Sequence, residues 1–511
     1  MMSRELFLLT KSMTGHEKRY FKLFSSLYKR DKHYLTLFEA IDRQKEKYNE
    51  AQLLDDLKGE KWISHLPTVK NQLYNNILRS LEIYSMDSSV RSQLNKAVTL
   101  YNKGLYSQTK KIVTKLKPIL QQEDDQILLL EALHLEQNIS RRRYFQSMKE
   151  GDILGAYQQK NEILKIIENE NAHQVIADCL MLLVNKNHFA RTTAQLNEAK
   201  KIFSSPLLQN KNKALSNKAL MNFYFSHVFY YSYISDFKKS CKYTQKQLEL
   251  IKQQDPELKR NYATYFNLLT NFLQIAIECK KIDNEFNQYL IEFESFYLNS
   301  LVKTSNDHLK AKIFTSYYLV KFLLYNEIGE PNKFKELLPA FYKEFEFYTP
   351  LLSKIECLYF DYYIAIYHIL TQKYSPAYNS LEQVITSKYI NDDLLAACKL
   401  FQLFITSEMD SEELLEANAR STYRYLQKRK TFFEFERTLI RFIKKVIKYH
   451  QDKEKMNVLF IQLRDELEKL KSDSFEKRAF EYFDIISWLD SKIENRPLAE
   501  IVREKANKSM L

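Results

Sequence analysis

The sequence predicts an all-α protein, and three observations carry that prediction. Glycine and proline are scarce, with 6 Gly and 9 Pro in 511 residues. Apolar residues recur at helical spacing along almost the whole chain. A short pattern built on an aromatic residue returns through the middle of the chain, at Phe237, Phe286, Phe334 and Tyr374. These positions are 49, 48 and 40 residues apart.

Each observation has a physical basis. Folds rich in strands need many tight turns, and turns with positive φ favour glycine. A chain poor in glycine and proline is better served by long helices with short links. Its 45% hydrophobic and 14% aromatic residues supply ample core, and 28% charged residues is ordinary for a soluble protein. The length suits two to four domains or one long repeat array.

Residues 1–88 read as an N-terminal module of four helices: GHEKRYFKLFSSLY, KHYLTLFEAIDRQ, EAQLLDDLK and LPTVKNQLYNNILRSLEIY. Pro67 suits the first turn of the last helix. Asp87, Ser88 and Ser89 form the expected hinge into the next segment.

Residues 89–415 read as helix pairs. In LNKAVTLYNKGLYSQTKKIVTKLKPIL, Ala97 and Leu100 share one face of a first helix. Gly104 breaks it, at a position that suits the left-handed conformation of a helix end. Tyr106, Thr109, Val113 and Leu116 then mark the apolar face of a second helix. Phe237 and Ser240 repeat the plan, and HILTQKYSPAYNSLEQVI repeats it most clearly, with Tyr374, Ala377, Leu381 and Val384 following Ala365. The small residues let two helices approach closely, and Tyr374 wedges the pair from its loop end.

This pattern resembles the tetratricopeptide repeat over residues 90–410. Ala365, Tyr374 and Ala377 match that motif best, with Gly104 and Tyr106 next. The spacing exceeds the family's period of about 34, and the family's glycine in the first helix is missing, so the repeats are extended or degenerate. The resemblance implies an α-solenoid of antiparallel helix pairs whose first helices line a concave groove. The candidate groove residues are then Arg91, Tyr101, Asn102, Asn222, Phe225, Phe229, Tyr233, Tyr359 and Tyr362. Asn and aromatic side chains grip extended or helical peptides well. The competing fate of these residues is burial against neighbouring helices.

Residues 416–511 read as basic amphipathic helices that cap the array, with Trp488 suited to sealing its last face.

Little in the sequence points to catalysis. It contains no GxGxxG, GxxxxGK[ST], HExxH or GxSxG motif. The ten histidines are scattered without ligand spacing. Asp55-Asp56 and Asp392-Asp393 read as acids near helix starts, where they complement the dipole. No enzyme activity, cofactor or metal is expected. The five cysteines are far apart and form no CxxC pair, which suits reduced thiols in the cytoplasm. No apolar run reaches the length of a membrane span, so no membrane insertion is expected.

The expected function is a non-enzymatic cytoplasmic scaffold or adaptor that binds a protein or peptide in the groove. The net charge of +13 supports an alternative. A small helical head before a repeat array resembles bacterial peptide-sensing regulators with tetratricopeptide domains. That likeness implies a nucleic-acid-binding regulator whose repeats act as sensor or dimerisation domain. Its candidate contacts are Lys18, Arg19, Lys22, Lys70 and Asn71 in the head, and Arg429, Lys444 and Lys445 in the late helices.

Overall fold

The computed structural model describes all residues except 1, 27–32, 45–47, 86–88, 147, 188, 256–261, 304–306, 410, 429–432, 450–451, 474, 483 and 511. The described residues are helical throughout, with no strand among them. Two compact units divide the chain: residues 1–171 with 300–310, and residues 172–299 with 311–511.

The first unit opens with α1 (Met2–Ser12), α2 (Gly15–Ser26), α3 (His33–Arg43), α4 (Glu50–Asp56) and α5 (Leu66–Ser85). Helix α5 packs against α1, α2 and α3. Leu6, Phe21, Phe38, Leu53, Leu73 and Ile77 form their shared core and are fully buried. Asp55 and Asp56 stand in the last turn of α4, not near its start, because Asn49 caps that helix seven residues earlier than they end it. Next come α6 (Val90–Asn102), α7 (Tyr106–Gln122), α8 (Gln126–Arg142) and α9 (Glu150–Asn187). Leu94, Ala97, Val113, Leu116 and Leu129 build a separate core among α6, α7 and α8. The boundary between the units falls inside α9, after Asn171. Ser89 caps α6, while Asp87 and Ser88 of the expected hinge lie outside the described residues.

The second unit continues with α10 (Thr193–Phe203), α11 (Asn217–Tyr233), α12 (Phe237–Gln254), α13 (Tyr262–Glu278) and α14 (Asn284–Lys303). After these come α15 (Asp307–Glu327), α16 (Pro331–Tyr348), α17 (Lys354–Leu370), α18 (Tyr374–Ile385) and α19 (Asp392–Ser407). The chain ends in α20 (Glu412–Lys428), α21 (Glu434–Tyr449), α22 (Lys453–Leu470), α23 (Ile485–Ile493) and α24 (Leu498–Met510). Sequence neighbours pack on each other, as α11 on α12, α17 on α18 and α18 on α19. Ala365, Ala377, Leu381 and Val384 are fully buried between α17 and α18, and Tyr374 packs at the edge of that core. One apolar cluster runs unbroken from Leu358 to Val502, across residue 415, and includes the buried Trp488.

The helix pairs turn in one repeated way. Gly104 has φ +77°, as expected for a left-handed helix end. Ser235, Lys280, Gly329 and Gln372 take the same conformation, with φ of 58°, 58°, 64° and 56°. Each is followed by a residue whose N–H reaches back to the last turn: Asp236 to Tyr231 O at 2.8 Å, Lys281 to Ala276 O at 2.8 Å, Glu330 to Tyr325 O at 2.9 Å and Lys373 to His368 O at 2.8 Å. This is the Schellman closure, which satisfies carbonyls that a helix end leaves open. The four turns are 45, 49 and 43 residues apart. Left-handed turns are therefore more frequent than six glycines suggest, because Ser, Lys and Gln occupy three of them.

A non-glycine residue in this conformation costs on the order of 1 kcal/mol. The exposed Gln372 has its side chain free of the core. Gln372→Gly should raise stability by up to about 1 kcal/mol, read as a higher urea midpoint with an unchanged slope.

Candidate functional site

The second unit contains a cavity of about 610 Å³. Its main wall is one face of α17. Tyr359, Tyr362, Tyr363, Ile366 and Leu370 follow each other at i, i+3, i+4, i+7 and i+11, so helical spacing alone puts them side by side. Leu319, Leu323, Asn326 and Glu327 bring the matching face of α15. Gln274 and Glu278 come from α13, and Leu394 from α19. The opposite side is closed by Phe480, Tyr482, Leu498 and Val502 near the C-terminus.

The walls are held by specific contacts. Asn326 donates from Nδ2 to the Tyr363 carbonyl at 3.0 Å, which ties α15 to α17. The Tyr362 hydroxyl donates to the Tyr482 carbonyl and fixes the closing segment. Arg503 of α24 donates to the Gly329 carbonyl at 3.0 Å and pairs with Glu330 at 3.0 Å. Lys280 and Glu327 form an ion pair on the cavity lining. Burial pushes the phenols of Tyr359, Tyr362 and Tyr363 above their ordinary range, so they remain neutral hydrogen-bonding groups at physiological pH. The site thus combines apolar walls, neutral hydroxyls and a few charges at its lining. Such a lining suits binding of a short segment or a small molecule.

Of the expected groove residues, only Tyr359 and Tyr362 line this cavity. Phe225 and Phe229 are half-exposed and stack on each other at 5.8 Å. Asn222 is bonded to Gln174 at 2.9 Å. Tyr233 does not line a groove: it is fully buried, and its hydroxyl accepts from Asn187 Nδ2 at 3.2 Å. Its ring packs into the core where α11 meets the end of α9, so burial outweighed exposure there. In the first unit, Arg91 is exposed and pairs with Glu131 at 2.6 Å. Tyr101 rests 5.5 Å from the Tyr106 ring, and Asn102 is exposed at the end of α6. Tyr363, Ile366, Asn326 and Leu323 were missed. The first two follow from Tyr359 by helical spacing, whereas nothing local marks the closing residues Tyr482 and Val502.

Three of the four candidate cations of the head are engaged. Lys18 pairs with Asp42 at 2.7 Å and Lys22 with Glu39 at 2.9 Å. Lys70 is not available to a nucleic acid: it is buried, with Nζ bonded to Glu50 at 2.7 Å, the Tyr48 hydroxyl at 2.8 Å and Ser3 at 3.1 Å. A buried ammonium is tolerated only with such partners, so the fold needs this one. Arg19 is exposed, and Asn71 is exposed and bonded to Asn75 at 3.2 Å. Lys444 and Lys445 are exposed on α21, and Arg429 lies outside the described residues.

Among the described residues, no group of three or more His, Cys, Asp or Glu is placed to hold a metal ion. None of their helices is long and apolar enough to cross a membrane. All five cysteines are unbridged.

A second cluster surrounds a buried imidazole. His227 is buried on α11, with Nδ1 2.8 Å from the Phe223 carbonyl and its ring among Phe203, Phe223, Tyr231 and Tyr243. Burial lowers its pKa below 6.5, the carbonyl opposes that, and Lys246 adds to the lowering. The folded protein therefore holds His227 neutral, while the unfolded chain protonates it more readily. Its contribution is complete above about pH 6.5 and is lost as the pH falls through the folded pKa. Asp361, raised to about 6 by burial, acts with the opposite sign as the pH rises through that value. The urea midpoint of His227→Phe should fall less than that of the wild type between about pH 7.5 and 5.5.

No protein-family model, curated protein or solved structure matches this chain.

Proposed function

We propose that this chain is a non-enzymatic scaffold of the tetratricopeptide-like helical-repeat class, acting in the cytoplasm, whose second unit binds a segment of another protein. The observation that carries this reading is the origin of the cavity walls. Helices α13, α15, α17 and α19, the first helices of successive pairs, each contribute lining residues to the same cavity. First helices are the ones that line the groove in the repeat class the sequence resembles. The regular left-handed turns at 235, 280, 329 and 372 support the same frame, because they recur once per helix pair. The mixed lining of tyrosines, leucines and charged side chains suits a peptide with apolar anchors.

Affinity capture of the tagged full-length protein from nuclease-treated extract tests the reading. A protein partner recovered with the wild type should be lost with Tyr359→Ala and kept with Tyr342→Ala, whose side chain is exposed outside the cavity. Equal recovery with both variants would remove the cavity from the interaction.

A further inference from the structure

The second unit also carries a basic groove that the cavity reading does not use. It has a volume of about 550 Å³ and lies between α19 and α20. Arg420, Arg424 and Lys428 line it four residues apart on α20. Helical rise sets them about 6 Å apart along one face. Lys399 faces them from α19, half-buried, with Nζ 5.6 Å from the centre of the Tyr425 ring. Ser421 and Tyr425 complete the polar lining, and no carboxylate is part of it.

The charges are only partly neutralised locally. Arg424 and Lys428 have no acidic partner among the described residues. Arg420 has only Glu416 at 3.4 Å, an exposed pair on the same helix, and such pairs bind weakly. Glu382 accepts from Gln402 at 2.6 Å and its charge also acts on Lys399, and Asp392 accepts from the Tyr425 hydroxyl at 3.2 Å. On the flank, Lys444 of α21 stands over Tyr423 of α20 at 5.2 Å, and Lys445 is exposed beside it. Within the second unit, the exposed Arg420, Arg424 and Lys428 therefore line one face of α20, with Lys444 on the adjoining α21.

We propose that this groove binds the sugar–phosphate backbone of a single-stranded nucleic acid. Cations repeated at steps of about 6 Å along a line match a ligand whose negative charge also repeats, rather than a single phosphate group. The concavity runs beside that line of cations and gives the backbone of a strand a place to lie. The cations supply affinity without sequence preference.

The test is fluorescence anisotropy of the full-length protein with labelled oligo-dT and oligo-U of about 20 nucleotides, over a series of salt concentrations. Four phosphate contacts give a slope of log affinity against log salt of about −3 for a single strand. Arg424→Ala with Lys428→Ala should halve that slope and weaken binding at least about tenfold at low salt, with an unchanged melting temperature because both side chains are exposed. Wild-type affinity in the double variant, or no binding at about 50 mM salt, overturns the proposal. So does tighter binding to vesicles of 30% phosphatidylserine in phosphatidylcholine that the double variant abolishes, since that assigns the groove to a membrane surface.

Discussion

Arg191→Met should destabilise the second unit by about 3–5 kcal/mol, the largest effect expected of any single substitution considered. Arg191 is 5% exposed, just before α10. Its guanidinium pairs with Glu436 of α21 at 3.1 Å and lies 3.8 Å from Asp393 of α19. It also stacks on Phe433, with 3.6 Å to the ring centre. Glu436 is itself 2% exposed and accepts from the Phe433 N–H at 2.9 Å. Removing the cation leaves a buried carboxylate without its countercharge, which costs far more than the ion pair contributes. The melting temperature should fall by about 10 °C. Adding Glu436→Gln should recover a large part of the loss, because the uncompensated charge is gone. Equal loss in the single and double variants would show that packing of Arg191 on Phe433 matters more than its charge.

Gly329→Ala should cost about 2–4 kcal/mol, combining a left-handed backbone with a backbone clash. Gly329 has φ +64° in the turn between α15 and α16. A Cβ there would meet Ala499 O at 2.5 Å and Arg503 N at 2.7 Å. Both are backbone atoms of α24, so no side chain can move aside to accept the methyl group. The helix must shift off the turn, and with it the bond from Arg503 to the Gly329 carbonyl and the Leu498 and Val502 side of the cavity. Thermal unfolding should show the loss, and hydrogen exchange should show it concentrated in residues 498–508. Unchanged protection in that segment would mean that α24 is held independently of Gly329.

Both effects rest on contacts that the sequence does not announce. The helices themselves were legible: apolar residues at helical spacing mark the α17–α18 joint, and Ala365, Ala377, Leu381 and Val384 are buried as their spacing requires. Gly104 was legible because glycine takes a left-handed turn without the steric cost a side chain brings. The turns at Ser235, Lys280 and Gln372 were hidden, because these side chains are no signature of a left-handed conformation. The cavity was half legible. Tyr359 and Tyr362 lie on a face that helical periodicity defines, but Phe480, Tyr482, Leu498 and Val502 reach it only through the return of the chain more than 100 residues later. Tyr233 and Lys70 show the converse. An aromatic or a lysine on an amphipathic helix reads as available, yet burial and partner choice are set by what packs over it.

The most direct measurement places a photoreactive benzophenone amino acid at position 359, inside the cavity, and at position 342, outside it, in the full-length protein within its native cells. If the cavity is the binding site, irradiation gives a discrete protein adduct from position 359 that is absent from position 342, and peptide mapping places the cross-link on one segment of the partner. Identical adducts from both positions, or none from position 359, would contradict the scaffold account.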